Sequence, residues 1–197
     1  VPSFKPFELS TILWSYAKLS TLNADACYCA QHLFELASIR IPHTVEAFTF
    51  RCLVTTVWAY ATFRFARSAS CLALFNSLSG QMMTMAHTAN CVELANTAWA
   101  YGTVGARNER LLQEIAKRAN ARLHEFKAQE LSALLWGFSA AGFYNGAAFS
   151  AAAVTLQRLD MTPQHLVNSL WALTRKKPRQ LAMHALTLVP ACTMMIE

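Results

Sequence analysis

Apolar side chains return every three to four positions along most of this chain, and the returns are organised around tryptophan. The five tryptophans stand at 14, 58, 99, 136 and 171, so successive spacings are 44, 41, 37 and 35 residues. Five positions before each stands a leucine: Leu9, Leu53, Leu94, Leu131 and Leu166. The position just before holds Leu13, Val57, Ala98, Leu135 and Leu170, and two after holds Tyr16, Tyr60, Tyr101, Phe138 and Leu173. Offsets −5, −1 and +2 or +3 from the tryptophan share one stripe of a helix, whereas a strand would alternate. The ring at offset 0 widens that stripe. Each pair, Leu9 with Trp14, Leu53 with Trp58, Leu94 with Trp99, Leu131 with Trp136 and Leu166 with Trp171, therefore reads as structural core. Small residues at +1 and +3, such as Ala100, Gly102 and Gly137, leave room for a neighbouring helix beside the ring.

The starts of these helices are also marked. Offset −8 is proline at Pro6 and Pro163, the residue favoured at the first helical position. Offset −9 is Thr49, Asn90 and Thr162, all side chains that cap a helix N-terminus. Offset −6 is Glu8, Glu93 and Glu130, and Asn90 with Glu93 has the spacing of a capping box. A second helix is expected to begin near Asp25, Ser68, Asn108, Asn145 and Arg179, after turns that carry Gly105 and "GFYNG" (142–146). A loop is expected around "IRIPHT" (39–44), and Pro190 interrupts the last second helix. Periods of this size belong to stacked helical hairpins. The predicted fold is all-α, a right-handed α-solenoid of about five hairpins in one domain over 1–197. Its units fall at about 3–44, 45–86, 87–124, 125–159 and 160–197.

Composition narrows the picture. Apolar residues make up 54% and charged residues 14%, below the usual quarter, which excludes a disordered tail. Either part of the surface is covered by neighbouring subunits, or the chain is a tightly packed, Ala-rich helical protein. The net charge of +6 suits an anionic partner such as RNA, although mild basicity alone does not require one. The positives concentrate in 107–127 and 175–179. The uncharged run Leu131–Gln157 is long enough to span a bilayer, but "GFYNG" at its centre turns it into a hairpin, so no integral membrane span is expected. Val1 in place of Met reads as a processed or partial chain from which any targeting segment has gone.

Offsets −3, +1 and +4 fall away from the core stripe. Thr11, Thr55, Asn96 and Asn168 at −3 are small polar groups able to hydrogen-bond base edges of a single strand, one base per unit. Lys18, Arg175, Lys176 and Lys177 can hold phosphates. The plainer reading is a half-exposed polar face. Asn96 stands out because the core does not explain its polarity. The run Arg107, Arg110, Lys117, Arg118 and Arg122 is either a solvated outer face or a dock for ribosomal RNA.

"FKAQELSALLWGFSAAG" (126–142) and "MTPQHLVNSLWALTR" (161–175) resemble the first helices of octotricopeptide-type repeats and of the related heptatricopeptide repeats of alveolates. The resemblance covers nearly the whole chain and is best around Trp99, Trp136 and Trp171. It implies an all-α superhelix, imported into mitochondria or plastids, that usually binds RNA.

An enzyme is not expected. The six histidines form no metal-protease frame, and the six glycines are too scattered for a phosphate loop. Cys27, Cys29 and His32 come nearest to a metal cluster but lack further ligands, and the six cysteines contain no CxxC pair. No cofactor and no metal are expected. Two functions stay open: an RNA-binding repeat module acting in RNA processing, stability, translation or ribosome assembly, and a structural scaffold subunit of a large organellar assembly. The partners are single-stranded or ribosomal RNA in the first and other protein subunits in the second.

Overall fold

Hairpin-forming signals at the expected places produce helices at the expected places. A computed structural model describes residues 4–63 and 68–175 together with Ala185 and Leu188, apart from the side chains at 24, 26, 27 and 29. The described residues are all-helical. In chain order the helices are α1 (Pro6–Leu22), α2 (Ala24–Arg40), α3 (Phe50–Thr62), α4 (Ala69–Met85), α5 (Cys91–Val104), α6 (Glu109–Asn120), α7 (Ala128–Ala140), α8 (Gly146–Leu156) and α9 (Pro163–Arg175). Lys176, Lys177 and the second helix expected from Arg179, with its break at Pro190, lie outside the described residues.

The odd-numbered helices carry the tryptophans, and their first turns are closed as the sequence suggests. The Asn90 carboxamide accepts from the Glu93 N–H at 2.9 Å, and the Asn90 N–H donates to the Glu93 carboxylate at 3.0 Å. Glu8 and Glu130 reach back to the Lys5 and Lys127 N–H groups at 2.8 and 3.0 Å. In α9 His165 replaces the glutamate and accepts from the Thr162 N–H at 3.2 Å. Asn23, Ser68, Asn108 and Asn145 cap the even-numbered helices, close to the predicted starts. Gly105 and Gly142 take φ of 74° after α5 and α7, a left-handed turn that glycine adopts without a Cβ penalty. The segment expected as a loop at 39–44 is instead the end of α2 followed by a 3₁₀ helix, Ile41–Ala47, started by Pro42.

Each tryptophan-bearing helix packs on the next: α1 on α3, α3 on α5, α5 on α7 and α7 on α9. The even-numbered helices do the same among themselves and form a second layer behind the first. Burial on three sides leaves each inner odd-numbered helix one narrow open face. The closest approach lies between α5 and α7. A Cβ added at Gly137 would collide with the Ala98 carbonyl and the Trp99 backbone nitrogen, and one at Gly102 would sit 2.6 Å from the Gly137 oxygen. The small residues at +1 and +3 thus set the distance between backbones.

The uncharged run 131–157 resolves into α7, a turn and α8. Among the described residues, no helix is long and apolar enough to cross a membrane.

Candidate functional site

The five recurring leucines are buried, as periodicity predicts. The tryptophans are not. Trp14 and Trp171 are 42% and 37% exposed, and Trp58, Trp99 and Trp136 are half-buried. Trp58 and Trp99 still pack one side against the core, as expected, whereas Trp14 and Trp171 open to solvent. The physical reason lies at offset +2, about 200° round the helix from the tryptophan. Tyr60 donates its hydroxyl to the Phe34 carbonyl at 2.5 Å, and Tyr101 donates to the Phe75 carbonyl at 2.9 Å. Both acceptors lie on second-layer helices of the preceding hairpin. Offset +2 therefore points into the protein, and the tryptophan points out through the opposite face.

The outward rings meet each other. Trp14 and Trp58 have centroids 6.3 Å apart, Trp58 and Trp99 6.2 Å, and Trp136 and Trp171 5.8 Å. The indoles thus form two groups on the first layer, Trp14–Trp58–Trp99 and Trp136–Trp171, each with a cation beside it. Lys18 Nζ lies 5.0 Å from the Trp58 centroid and 5.9 Å from that of Trp14. The Arg175 guanidinium lies 4.5 Å from the Trp171 centroid.

The other predicted residues fall on or off this face. Thr11, Thr55, Asn96 and Asn168 flank the row, Thr11 exposed and the rest half-buried. Thr11 and Thr55 donate their hydroxyls to the carbonyls of Phe7 and Arg51 on their own helices. The Asn168 oxygen accepts from Gln164 at 2.9 Å. Among the described residues, the Asn96 carboxamide has no hydrogen-bond partner, and it stands one turn from Trp99. Offset +4 is outward at Lys18 and Arg175, but the Thr62 hydroxyl is buried. Offset +1 is not outward: Ala59, Ala100, Gly137 and Ala172 are buried between helices. Sequence reasoning also missed offset −7, where Phe7, Arg51, Val92, Gln129 and Gln164 complete the open face. Arg51 crosses from α3 to bond the Glu93 carboxylate at 3.2 Å.

The basic run on α6 is partly structural. Arg118 pairs with Glu114 and Arg122 with Glu125, both at 2.6 Å, and Arg122 also donates to the Ala89 carbonyl at 2.8 Å. The hydrogen bond from Arg122 holds the Glu125 carboxyl below its usual range. Arg107, Arg110 and Lys117 remain exposed.

A cavity of about 100 Å³ opens between α2, α3 and α4, lined by Phe34, Glu35, Tyr60, Phe63 and Cys71 among others. Burial pushes the Cys71 thiol up to about 12, so it stays protonated and is a poor nucleophile at neutral pH. Among the described residues, no group of three or more His, Cys, Asp or Glu is placed to hold a metal. The side chains of Cys27 and Cys29 lie outside the described residues.

The outward face can thus stack flat π systems, attract anions and offer the amides of Asn96 and Gln129, unpartnered among the described residues. No protein-family model matches the chain, and no curated protein matches it.

Proposed function

We propose that this chain is a right-handed α-solenoid of five helical-hairpin units that binds single-stranded RNA along its tryptophan face, as a non-enzymatic module of an organelle. The observation that carries the reading is two groups of indoles in contact on one face, Trp14–Trp58–Trp99 and Trp136–Trp171, with Lys18 on the first and Arg175 on the second. Base-on-aromatic stacking tolerates any sequence because every base has a π face. Cations beside the rings supply the phosphate contacts that make such binding salt-dependent. Asn96, one turn from Trp99 and with no hydrogen-bond partner among the described residues, is well placed to read a base edge. Five units correspond to a footprint of about five bases by one-base-per-unit logic.

Titrating labelled short RNAs against the full chain at several salt concentrations tests this. Trp99→Ala is expected to weaken binding of every sequence by about 1–3 kcal/mol without changing the salt slope. Asn96→Ala changes base preference alone. Neutralising Arg175, Lys176 and Lys177 flattens the slope. Binding that responds to the charge variants but ignores Trp99→Ala overturns the reading.

The second reading, a scaffold subunit held by neighbouring proteins, has its own support. Tyr28 is 80% exposed on the outer side of α2, with Leu36 and Ile39 also exposed on that helix. The corresponding side of α4 carries Ala69, Ser77 and Gly80. An apolar patch confined to one hairpin suits a protein contact better than a nucleic acid.

A further inference from the structure

The indole contacts of the open face fall into two groups, and the break between them has a definite place. Trp99 meets Trp58 at 6.2 Å and Trp136 meets Trp171 at 5.8 Å, so each ring leans toward a different neighbour. The two part above the point where α5 and α7 meet backbone to backbone, at Ala98, Gly102 and Gly137. These helices have sisters on both sides, α3 before and α9 after, so the break lies inside the array.

Helical geometry says what lines it. Gly137, at offset +1, meets α5 and so marks the side of α7 that faces α5. Offsets −7, −3 and +4 lie about 20°, 60° and 40° round from the tryptophan toward that same side. On α7 they are Gln129, Ala133 and Ala140. Offsets −3 and +4 are Thr55 and Thr62 on α3, Asn96 and Thr103 on α5, and Asn168 and Arg175 on α9. Helix α7 thus places alanine, half-buried, where these sisters place larger polar side chains. A recess is left between two indoles. Half-buried Trp99 and Trp136 form its walls, Ala133 and Ala140 leave it unfilled, and the glycine crossing is its floor. Gln129 stands exposed above it, and among the described residues its carboxamide has no hydrogen-bond partner.

Touching indoles offer a base one face to lie on, whereas separated indoles can take it between them and stack on both of its faces. A purine, with two fused rings, covers more of both walls than a pyrimidine. Its edge also carries the adjacent donor and acceptor groups that a glutamine carboxamide matches. We propose that one purine base of a bound RNA strand inserts between Trp99 and Trp136 while its neighbours lie on the other rings. Single-stranded bases are free to splay out in this way. The proposal rests on the RNA-binding reading above and adds to it a fixed register and a base class.

Short oligouridines carrying a single 2-aminopurine test this with the full chain, because stacking quenches the emission of that base. Wild-type protein is expected to quench it. Ala133→Leu fills the recess without altering either ring. It is expected to restore the emission and to weaken binding of this strand about 5- to 150-fold, the loss of one stacked base. Ala140→Leu fills the recess from the other side of Trp136 and is expected to act alike, both variants being checked for native circular dichroism and melting temperature. Oligouridine without the purine should bind the wild type more weakly and lose less on either substitution. Quenching and affinity that survive both substitutions overturn the insertion and leave RNA binding standing. Equal affinity of the wild type for the two strands overturns the purine assignment. A wild type that binds neither strand overturns the RNA reading and the insertion with it.

Discussion

Two aromatic columns run through the same helices, and they behave in opposite ways. The column at offset +2 holds Tyr60, Tyr101 and Phe138, each nearly or wholly buried, and its hydroxyls are spent on second-layer carbonyls. Phe34 and Phe75 meet Tyr60 and Tyr101 edge to face, each at 4.9 Å, so one inter-hairpin joint is built twice. The column at offset 0 is outward, stacks on itself and touches cations instead of carbonyls. Two residues of sequence separate a buried polar anchor from an open π surface. Large aromatic side chains recurring at a fixed spacing therefore do not identify a core. The direction of the partner does.

The sharpest way to break the comparison is at the inner column. Tyr101→Ala removes a wholly buried ring together with bonds to Phe75 and Ser79, and is expected to destabilise by about 3–5 kcal/mol in urea unfolding. A midpoint near that of the wild type would put the ring outside the core. Gly137→Val comes next. It forces α5 and α7 apart where their backbones meet, at a cost of about 1–3 kcal/mol. Thermal melts should record the loss. Trp99→Ala, in the outer column, is expected to cost only about 1–2 kcal/mol of stability, less than a core truncation, while binding of single-stranded RNA suffers more. If the stability loss matched that of Tyr101→Ala, the two columns would not differ as described. Lys18→Ala is smallest, about 0.5–1 kcal/mol from its contacts with Trp14 and Trp58, read as a slight fall in melting temperature.

The burial of the inner column has a consequence at high pH. Desolvation raises the pKa values of Tyr60, Tyr101 and Cys71, the thiol's from 9.0 to about 12. Their contribution to stability is complete below the unfolded-state values and is lost as pH rises toward the folded ones. Alkaline titration should therefore unfold the chain progressively above about pH 9, and Cys71→Ala should make that decline shallower.

Much of the architecture was legible because it is local. A capping side chain such as Asn90 or Asn145 acts within one turn, and the leucines at offset −5 obey helical periodicity. What was not legible depends on neighbours. An isolated amphipathic helix buries one stripe, but here each inner helix is walled by two sisters and a second layer. The small residues Ala100 and Gly137 did signal a helix contact, but periodicity cannot say that Trp99 beside them is only half-buried. The clue was present in the 200° between tryptophan and tyrosine, which forbids both from sharing one buried face. The paired roles of Arg118 and Arg122 likewise need Glu114 and Glu125 in place before they separate from the exposed Arg107 and Arg110.

Indoles held 5.8–6.3 Å apart are close enough to pass electronic excitation from ring to ring. Light absorbed by one tryptophan should leave from another, so the native protein should emit with depolarised fluorescence and show a split band in near-ultraviolet circular dichroism. A base laid on the row, or a helix displaced from it, interrupts the transfer. The chain therefore carries an unlabelled optical sensor of its own surface, tuned by the spacing that its glycines and alanines impose.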